Sequence, residues 1–259
     1  MSQGLQGGSI QMLSGKTVAV AGGTGNVGTF VVRALLERGA NVAVPSRTEE
    51  KLHGFRAHLA SQIGEDDLGR LHTFVGDVAD EVGAEHLLGQ ITNDVGAPDA
   101  VVATLGRLVP AQSLLDARAN DLQQVLQSYL IAHFVVARTF LPGLKARGGA
   151  YVFVNGPLAF DPWKGSGADL VSISTAGQHM LFRALAQELE ESDVRVVELV
   201  SHAFIRDRQT QPSSAIPGEA VGAFAAYLVS QAAGGTHGKS IRLRSMEQLE
   251  EVGLELGIA

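Results

Sequence analysis

Apolar residues recur along this chain in two alternating patterns. Short apolar runs at 18–21, 41–44, 71–75, 100–104, 151–154, 194–200 and 240–243 have the length and composition of buried strands. Between them, at 48–60, 80–95, 119–145, 170–190 and 220–231, apolar positions fall three and four apart, the spacing of helices with one buried face. A first helix runs from Thr29 with Phe30, Val31, Ala34 and Leu35 at helical spacing, and Gly39 after Glu37 and Arg38 stops it. In 119–145, Leu122, Val125, Leu126, Tyr129, Leu130, His133 and Ala137 share a broad face, and Pro142 marks a frayed end. Strands alternating with helices imply a doubly wound parallel sheet of about seven strands with helices on both faces, a three-layer α/β fold. Its ligand crevice is expected at the carboxyl ends of the strands.

Residues 1–12 are glycine-rich and polar with no period, and read as a flexible tail outside the fold. The remainder, 13–259, reads as one domain, although its length also allows two. The polar stretch 204–218, with two prolines, is long enough to serve as a substrate lid.

The first strand–helix–strand unit carries the clearest chemical signal. Gly22, Gly25 and Gly28 recur every third residue where the strand 18–21 gives way to the helix, within Gly22-Gly23-Thr24-Gly25-Asn26-Val27-Gly28. Such a turn lets backbone lie close to a pyrophosphate, and the helix N-terminus offers free N–H groups and a partial positive charge to it. This is the mark of a Rossmann dinucleotide site, although a glycine turn also joins any strand to any helix. At the end of the second strand, sites that prefer NAD usually place an acidic residue for the ribose hydroxyls. This chain has Pro45, Ser46 and Arg47, and a guanidinium there suits a 2′-phosphate, so the expected cofactor is NADP, with NADPH favoured over NADH. The competing reading of Arg47 is a solvated charge before the helix that Thr48 caps, with Glu49 and Glu50 in its first turn.

Composition narrows the field further. The net charge is −7 with scattered basic residues, which leaves no electrostatic footprint for nucleic acid or an anionic membrane surface. The absence of cysteine excludes disulfides, thiolate metal sites and a cysteine nucleophile. Histidines and carboxylates show no metal-ligand spacing, so no metal is expected. The longest apolar stretch, near 220–229, is about half the ~20 residues a bilayer span needs, and a cytoplasmic location is the expectation.

From residue 13 to 243 the chain resembles the short-chain dehydrogenase/reductase family. GGTGNVG matches that family's cofactor turn, with Asn26 standing where the commonest version has its middle glycine. Asp77-Val78 is similar to the pair that meets the adenine, and Ala103-Thr104-Leu105-Gly106 to the strand end that usually reads Asn-Asn-Ala-Gly. FLPGL, GGAYVFVN, LFRALAQELEESDVRVVELV and THGKSIRL follow in the family's order. The resemblance implies the cofactor set Gly22, Thr24, Gly25, Asn26, Val27, Gly28, Ser46, Arg47, Asp77, Val78, Ala103 and Gly106. It also implies hydride transfer between a nicotinamide and a carbonyl or alcohol.

The family's proton chemistry rests on a Tyr-x-x-x-Lys pair, a Ser and an Asn. Register from Arg183-Ala184-Leu185 places Val171 at the Tyr position and Thr175 at the Lys position; Gly156 falls at the Ser position and Tyr129 at the Asn position. The usual Pro-Gly after the strand 194–200 is Ser201-His202. Candidate substitutes are the Tyr129 phenol, the Asn155 amide and the His202 imidazole, whose ordinary titration range suits proton transfer. Against these stand a packed core tyrosine, and a turn residue in Asn155-Gly156-Pro157. Ser172 and Ser174 read as helix-start residues and His179 as structural.

The leading expectation is an atypical NADP(H)-dependent oxidoreductase reducing a ketone or quinone-like carbonyl without the usual Tyr/Lys pair. The alternatives are a nucleotide-binding homologue without turnover, acting as sensor or partner subunit, and a non-redox reaction in the vacated site. The resemblance further implies a homodimer or homotetramer formed through the helices near 119–145 and 170–190.

Overall fold

The computed structural model describes residues 13–107, 109, 112–201, 216–245 and 247–251. Its elements run β1 (Thr17–Ala21), α1 (Asn26–Leu36), β2 (Asn41–Ser46), α2 (Glu49–Ala60), the one-turn α3 (Glu65–Leu68), β3 (Leu71–Val75), α4 (Glu81–Asp94) and β4 (Ala100–Ala103). The second half continues with α5 (Ala119–Leu126), α6 (Ala132–Arg147), β5 (Ala150–Asn155), α7 (Asp169–Glu188), β6 (Arg195–Ser201), α8 (Gly218–Val229), β7 (Ser240–Leu243) and α9 (Glu247–Glu250). The strands form one seven-stranded sheet in the order β3-β2-β1-β4-β5-β6-β7, and every pairing is parallel. Strand order reverses between β1 and β4, so the crevice opens beyond the ends of these two strands.

Parallel strands buried on both faces need apolar residues in both alternating sets. One set, with Val18, Val20, Val42, Val44, Val152 and Leu199, packs against Val31 and Leu35 of α1, Leu52 and Phe55 of α2, and Phe224 of α8. The other, with Ala19, Val101, Tyr151, Phe153 and Val196, packs against Leu87 and Ile91 of α4, Phe140 and Leu144 of α6, and Phe182 of α7. Helices α1 and α8 pack closely, because a Cβ on Gly218 would meet the Phe30 ring and one on Gly222 the Phe30 carbonyl.

The helix expected over 119–145 differs in two ways. A π-helical turn at Gln127–Ile131 divides it into α5 and α6, and α6 passes through Pro142 to Arg147 instead of fraying there. Leu141 and Leu144 on either side of the proline are buried against the sheet, and that burial offsets the backbone bond proline cannot make. The combined run 119–147 is long and apolar enough to cross a membrane by length and composition, but Val136, Phe140 and Leu144 are buried in the core. The polar turn α3 was not foreseen, as it buries no residue. Of the expected lid, 204–215 lies outside the described residues; Ile216 is buried in the core, Pro217 precedes α8 and Gly218 begins it. The expected tail, 1–12, also lies outside them.

Not every glycine is needed by the fold. Gly89 is exposed inside α4, and a Cβ there meets nothing within 4 Å among the described residues. Gly89→Ala is therefore expected to stabilise the protein by about 0.5–1 kcal/mol, read as a raised midpoint in urea. An unchanged or lowered midpoint would refute it.

Candidate functional site: a nucleotide cleft at the strand ends

At the end of β1 the chain turns through Gly22, whose φ of +83° lies in the left-handed region. A Cβ there would sit 2.7 Å from the Thr104 carbonyl oxygen, so glycine is needed for conformation and for space. The Gly25 N–H donates to the Gly22 carbonyl at 2.9 Å, and Gly25 caps α1 in extended conformation without a side-chain bond. Gly28 is buried against the Gly22 carbonyl, where a Cβ would collide. No side chain of the cap or acidic residue of the first turn covers the opening N–H groups of α1, so they remain available to an anion.

This turn forms one wall of a cleft of about 610 Å³. Gly22, Thr24 and Gly25 line it from β1, and Ser46, Arg47 and Lys51 from the end of β2 and the start of α2. Asp77 to Asp80 line it after β3, Thr104 to Arg107 after β4, and Gln124, Gln127, Ser128 and Ala132 from the helical wall. The structure thus brings together Gly22, Thr24, Gly25, Ser46, Arg47, Asp77, Val78 and Gly106 from the expected cofactor set. The other members play supporting parts. Asn26 is exposed at the start of α1, Val27 packs on the core, Gly28 allows the close turn, and Ala103 is fully buried in β4 rather than facing the cleft.

Several lining residues were missed in the sequence. Lys51 stands four residues after Arg47, in the first turn of α2, a spacing that was open to notice. Gln124, Gln127 and Ser128 form a polar stripe three and four apart beside the apolar face of 119–145. Among the described residues no carboxylate pairs with Arg47 or Lys51. Asp77 accepts the Ala79 N–H at 2.9 Å, which orients its carboxylate at the cleft edge.

Two of the three expected substitutes, Tyr129 and Asn155, are committed to internal bonds. The Tyr129 hydroxyl donates to the Arg107 carbonyl at 2.7 Å, and burial pushes the phenol above its ordinary value. Asn155 is buried; its amide nitrogen donates to the Thr175 carbonyl at 3.2 Å and to Glu198 at 2.9 Å, and its oxygen accepts the Gly156 N–H at 2.8 Å. The Thr175 hydroxyl donates back to the Val171 carbonyl at 2.8 Å, within α7. A Cβ on Gly156 would meet nothing within 4 Å among the described residues. His202 lies outside the described residues.

Two buried polar groups carried no chemical role in the sequence reading. Glu198 of β6, fully buried, accepts from Asn155, from His179 Nδ1 at 2.7 Å and from the Ser240 hydroxyl at 2.6 Å. His133 of α6, equally buried, lies with Nε2 at 3.2 Å from the Leu105 carbonyl and leaves Nδ1 without a partner among the described residues. Burial lowers its pKa to about 4. Among the described residues no group of three or more histidines and carboxylates is arranged to hold a metal ion.

Comparison with known proteins agrees with this geometry. Residues 16–210 match the family model of the short chain dehydrogenases. The uncharacterized oxidoreductase YmfI of Bacillus subtilis is 26% identical over 70% of this chain and 72% of its own. The L-fucose dehydrogenase of Rattus norvegicus is 29% identical over 55% of this chain, but only 49% of that enzyme is covered. The NADPH-bound short chain oxidoreductase of Pseudomonas aeruginosa PAO1, described as containing an atypical catalytic center, superposes with a TM-score of 0.77 at 24% identity, over 89% of this chain and 96% of that one. With its glycine turn, its parallel sheet and a family match from β1 to beyond β6, this chain belongs to the short chain dehydrogenase family of oxidoreductases.

Proposed function

We propose that the protein is an NADP(H)-dependent oxidoreductase that reduces a ketone or quinone-like carbonyl without a Tyr/Lys acid–base pair. The observation that carries the cofactor preference is the pair of cations, Arg47 and Lys51, on the wall that continues from β2. An acidic residue there would favour two ribose hydroxyls, whereas two cations that no carboxylate among the described residues pairs favour a phosphate. The cleft fits the dinucleotide, because glycine at 22 and 28, where a Cβ would collide with Thr104 and with the Gly22 carbonyl, lets the turn fold tightly and leaves the N-terminus of α1 open to a pyrophosphate. Gly22, Thr24, Gly25 and the N-terminus of α1 would hold that pyrophosphate, Asp77 and Val78 the adenine, and Arg47 with Lys51 the 2′-phosphate. The bound dihydronicotinamide supplies the hydride.

Gly156, Val171 and Thr175 stand at the Ser, Tyr and Lys positions, and none offers a side-chain acid. A positioned general acid contributes about 10²–10⁴ in rate, whereas correct attack geometry corresponds to effective molarities of about 10⁵–10⁸ M. Positioning by the cleft is therefore the larger factor. The reaction is most favourable where a neighbouring phenol in the substrate stabilises the alkoxide and supplies its proton. A relative with NADPH bound and an atypical centre supports this reading. We also propose that two or four copies associate through the end of the π-turn, α6 and α7, where Ile131, Phe134, Ile173 and Met180 are exposed. A monomeric mass in light scattering would refute that assembly.

Titration of purified protein with NADPH and NADH, followed by cofactor fluorescence, tests the reading. Tighter binding of NADPH is expected, and Arg47→Ala is expected to weaken it about thirtyfold while leaving NADH within about threefold, as for loss of one charge-assisted contact. Equal binding of both cofactors would remove the 2′-phosphate argument. Tight NADPH binding with no oxidation by a panel of ketones and quinones would favour a nucleotide-binding homologue without turnover.

A further inference from the structure

We infer that Tyr129 and His133 are positioning residues that clamp the cleft wall 105–107 in the shape the nucleotide needs, an inference that rests on the nucleotide reading above. The three wall residues are held in succession. Leu105 accepts at its carbonyl from His133 Nε2 at 3.2 Å, and Arg107 at its carbonyl from the Tyr129 hydroxyl at 2.7 Å. Between them Gly106, with φ of +147°, lies against the Tyr129 ring; a Cβ there would come within 2.8 Å of ring carbon Cδ1. Thr104, at the start of the segment, is tied to β1 through its N–H to the Ala21 carbonyl at 2.9 Å. The wall is thus pinned to the glycine turn at one end and to the helical wall at the other.

Both side chains are chosen in a way that packing alone does not explain. The two residues lie four apart, Tyr129 within the π-helical turn Gln127–Ile131 and His133 just after it. Their neighbours Ser128 and Ala132 line the cleft directly. His133 is fully buried and stacks on Phe153 at 5.6 Å, a place a phenylalanine or leucine would fill without leaving a ring nitrogen unpartnered. What histidine adds there is the N–H to Leu105. The hydroxyl of Tyr129 likewise adds the bond to Arg107. A π-turn inserts an extra residue into a helix and commonly marks a functional site.

The clamp and a proton-donor role for Tyr129 give different results in the same variant. Tyr129→Phe keeps the ring under Gly106 and removes the bond to Arg107. The clamp requires faster hydrogen exchange at the amides of 105–107 in the cofactor-free protein. It also requires NADPH binding weakened about fivefold, the scale of one neutral hydrogen bond. Gly106→Ala, which drives the wall away from the ring, is expected to weaken NADPH at least as much. A proton donor would instead leave NADPH affinity unchanged and slow oxidation of bound NADPH. Unchanged exchange at 105–107, or faster exchange with unchanged affinity in both variants, overturns the clamp while leaving the nucleotide reading intact. Failure of the unaltered protein to bind any nicotinamide nucleotide overturns both.

Discussion

Glu198→Ala is expected to destabilise the protein by about 3–5 kcal/mol, the cost of removing one partner from a buried charged network. In a chain of this size the melting temperature should fall by roughly 10 °C. Glu198 is wholly inaccessible, and its two carboxylate oxygens accept from Asn155, His179 and Ser240 at 2.9, 2.7 and 2.6 Å. Alanine would leave three donors facing a cavity on α7, β5 and β7. Glu198→Gln separates charge from shape. Its oxygen can still accept from Asn155, and its amide can donate to His179 in the other tautomer and to the Ser240 oxygen. A loss of about 1 kcal/mol is therefore expected for glutamine. Thermal denaturation of both variants decides the matter; equal melting temperatures would show that the network contributes little. The network also orients Asn155, so a substrate-binding role for that amide requires its bonds to Glu198 and Thr175 to break first.

The second large effect is acid destabilisation through His133. Burial holds its folded-state pKa at about 4, below the 6.5 of an exposed imidazole. Above pH 6.5 the ring is neutral in both states and its contribution is complete. As pH falls from 6.5 toward 4, the unfolded chain binds a proton that the folded chain refuses, so stability drops by about 1.4 kcal/mol per unit. The whole loss is on the order of 3 kcal/mol and levels off below pH 4. Urea denaturation at pH 7 and pH 4.5 should show most of it. His133→Leu, which has nothing to titrate, should reduce the difference between the two pH values by about 2 kcal/mol. The same pH dependence in both proteins would assign the acid sensitivity to other groups.

The glycine-turn side of the cleft was legible because its signals are local. Gly22, Gly25 and Gly28 follow from the turn between one strand and one helix, and Arg47 from the end of the next strand. Thr48 does cap α2, accepting the Lys51 N–H at 3.4 Å. Lys51 and the Gln124–Gln127–Ser128 stripe were on the page as spacings but had no meaning until the sheet placed α2 and α5 around one opening. Ala103, a strand-end residue expected at the cofactor, is wholly buried between neighbouring strands and does not line the cleft.

Where function depends on polar groups far apart in the chain, periodicity is silent. Tyr129 and Asn155 have the right side chains for proton transfer or carbonyl binding, but only the packed structure shows those groups bonded to Arg107, Glu198 and Thr175. His179 read as structural; the tertiary structure supplies the reason, a bond to a glutamate that interrupts the apolar strand 194–200.

The sequence by itself determined the parallel sheet, its approximate elements and the glycine turn, because short-range periodicity and backbone sterics dictate them within one strand–helix–strand unit. The tertiary structure alone decided the strand order, the π-turn at Gln127–Ile131, the continuation of α6 past Pro142, and which polar side chains are spent inside the protein. Those outcomes depend on which buried donors and acceptors meet across distances of 20 to 43 residues, as between Asn155 and Thr175 or Glu198. No local pattern encodes such a meeting. It is imposed when the burial of two apolar sheet faces brings β5, β6, β7 and α7 together and every polar group caught between them has to find a partner or remain without one.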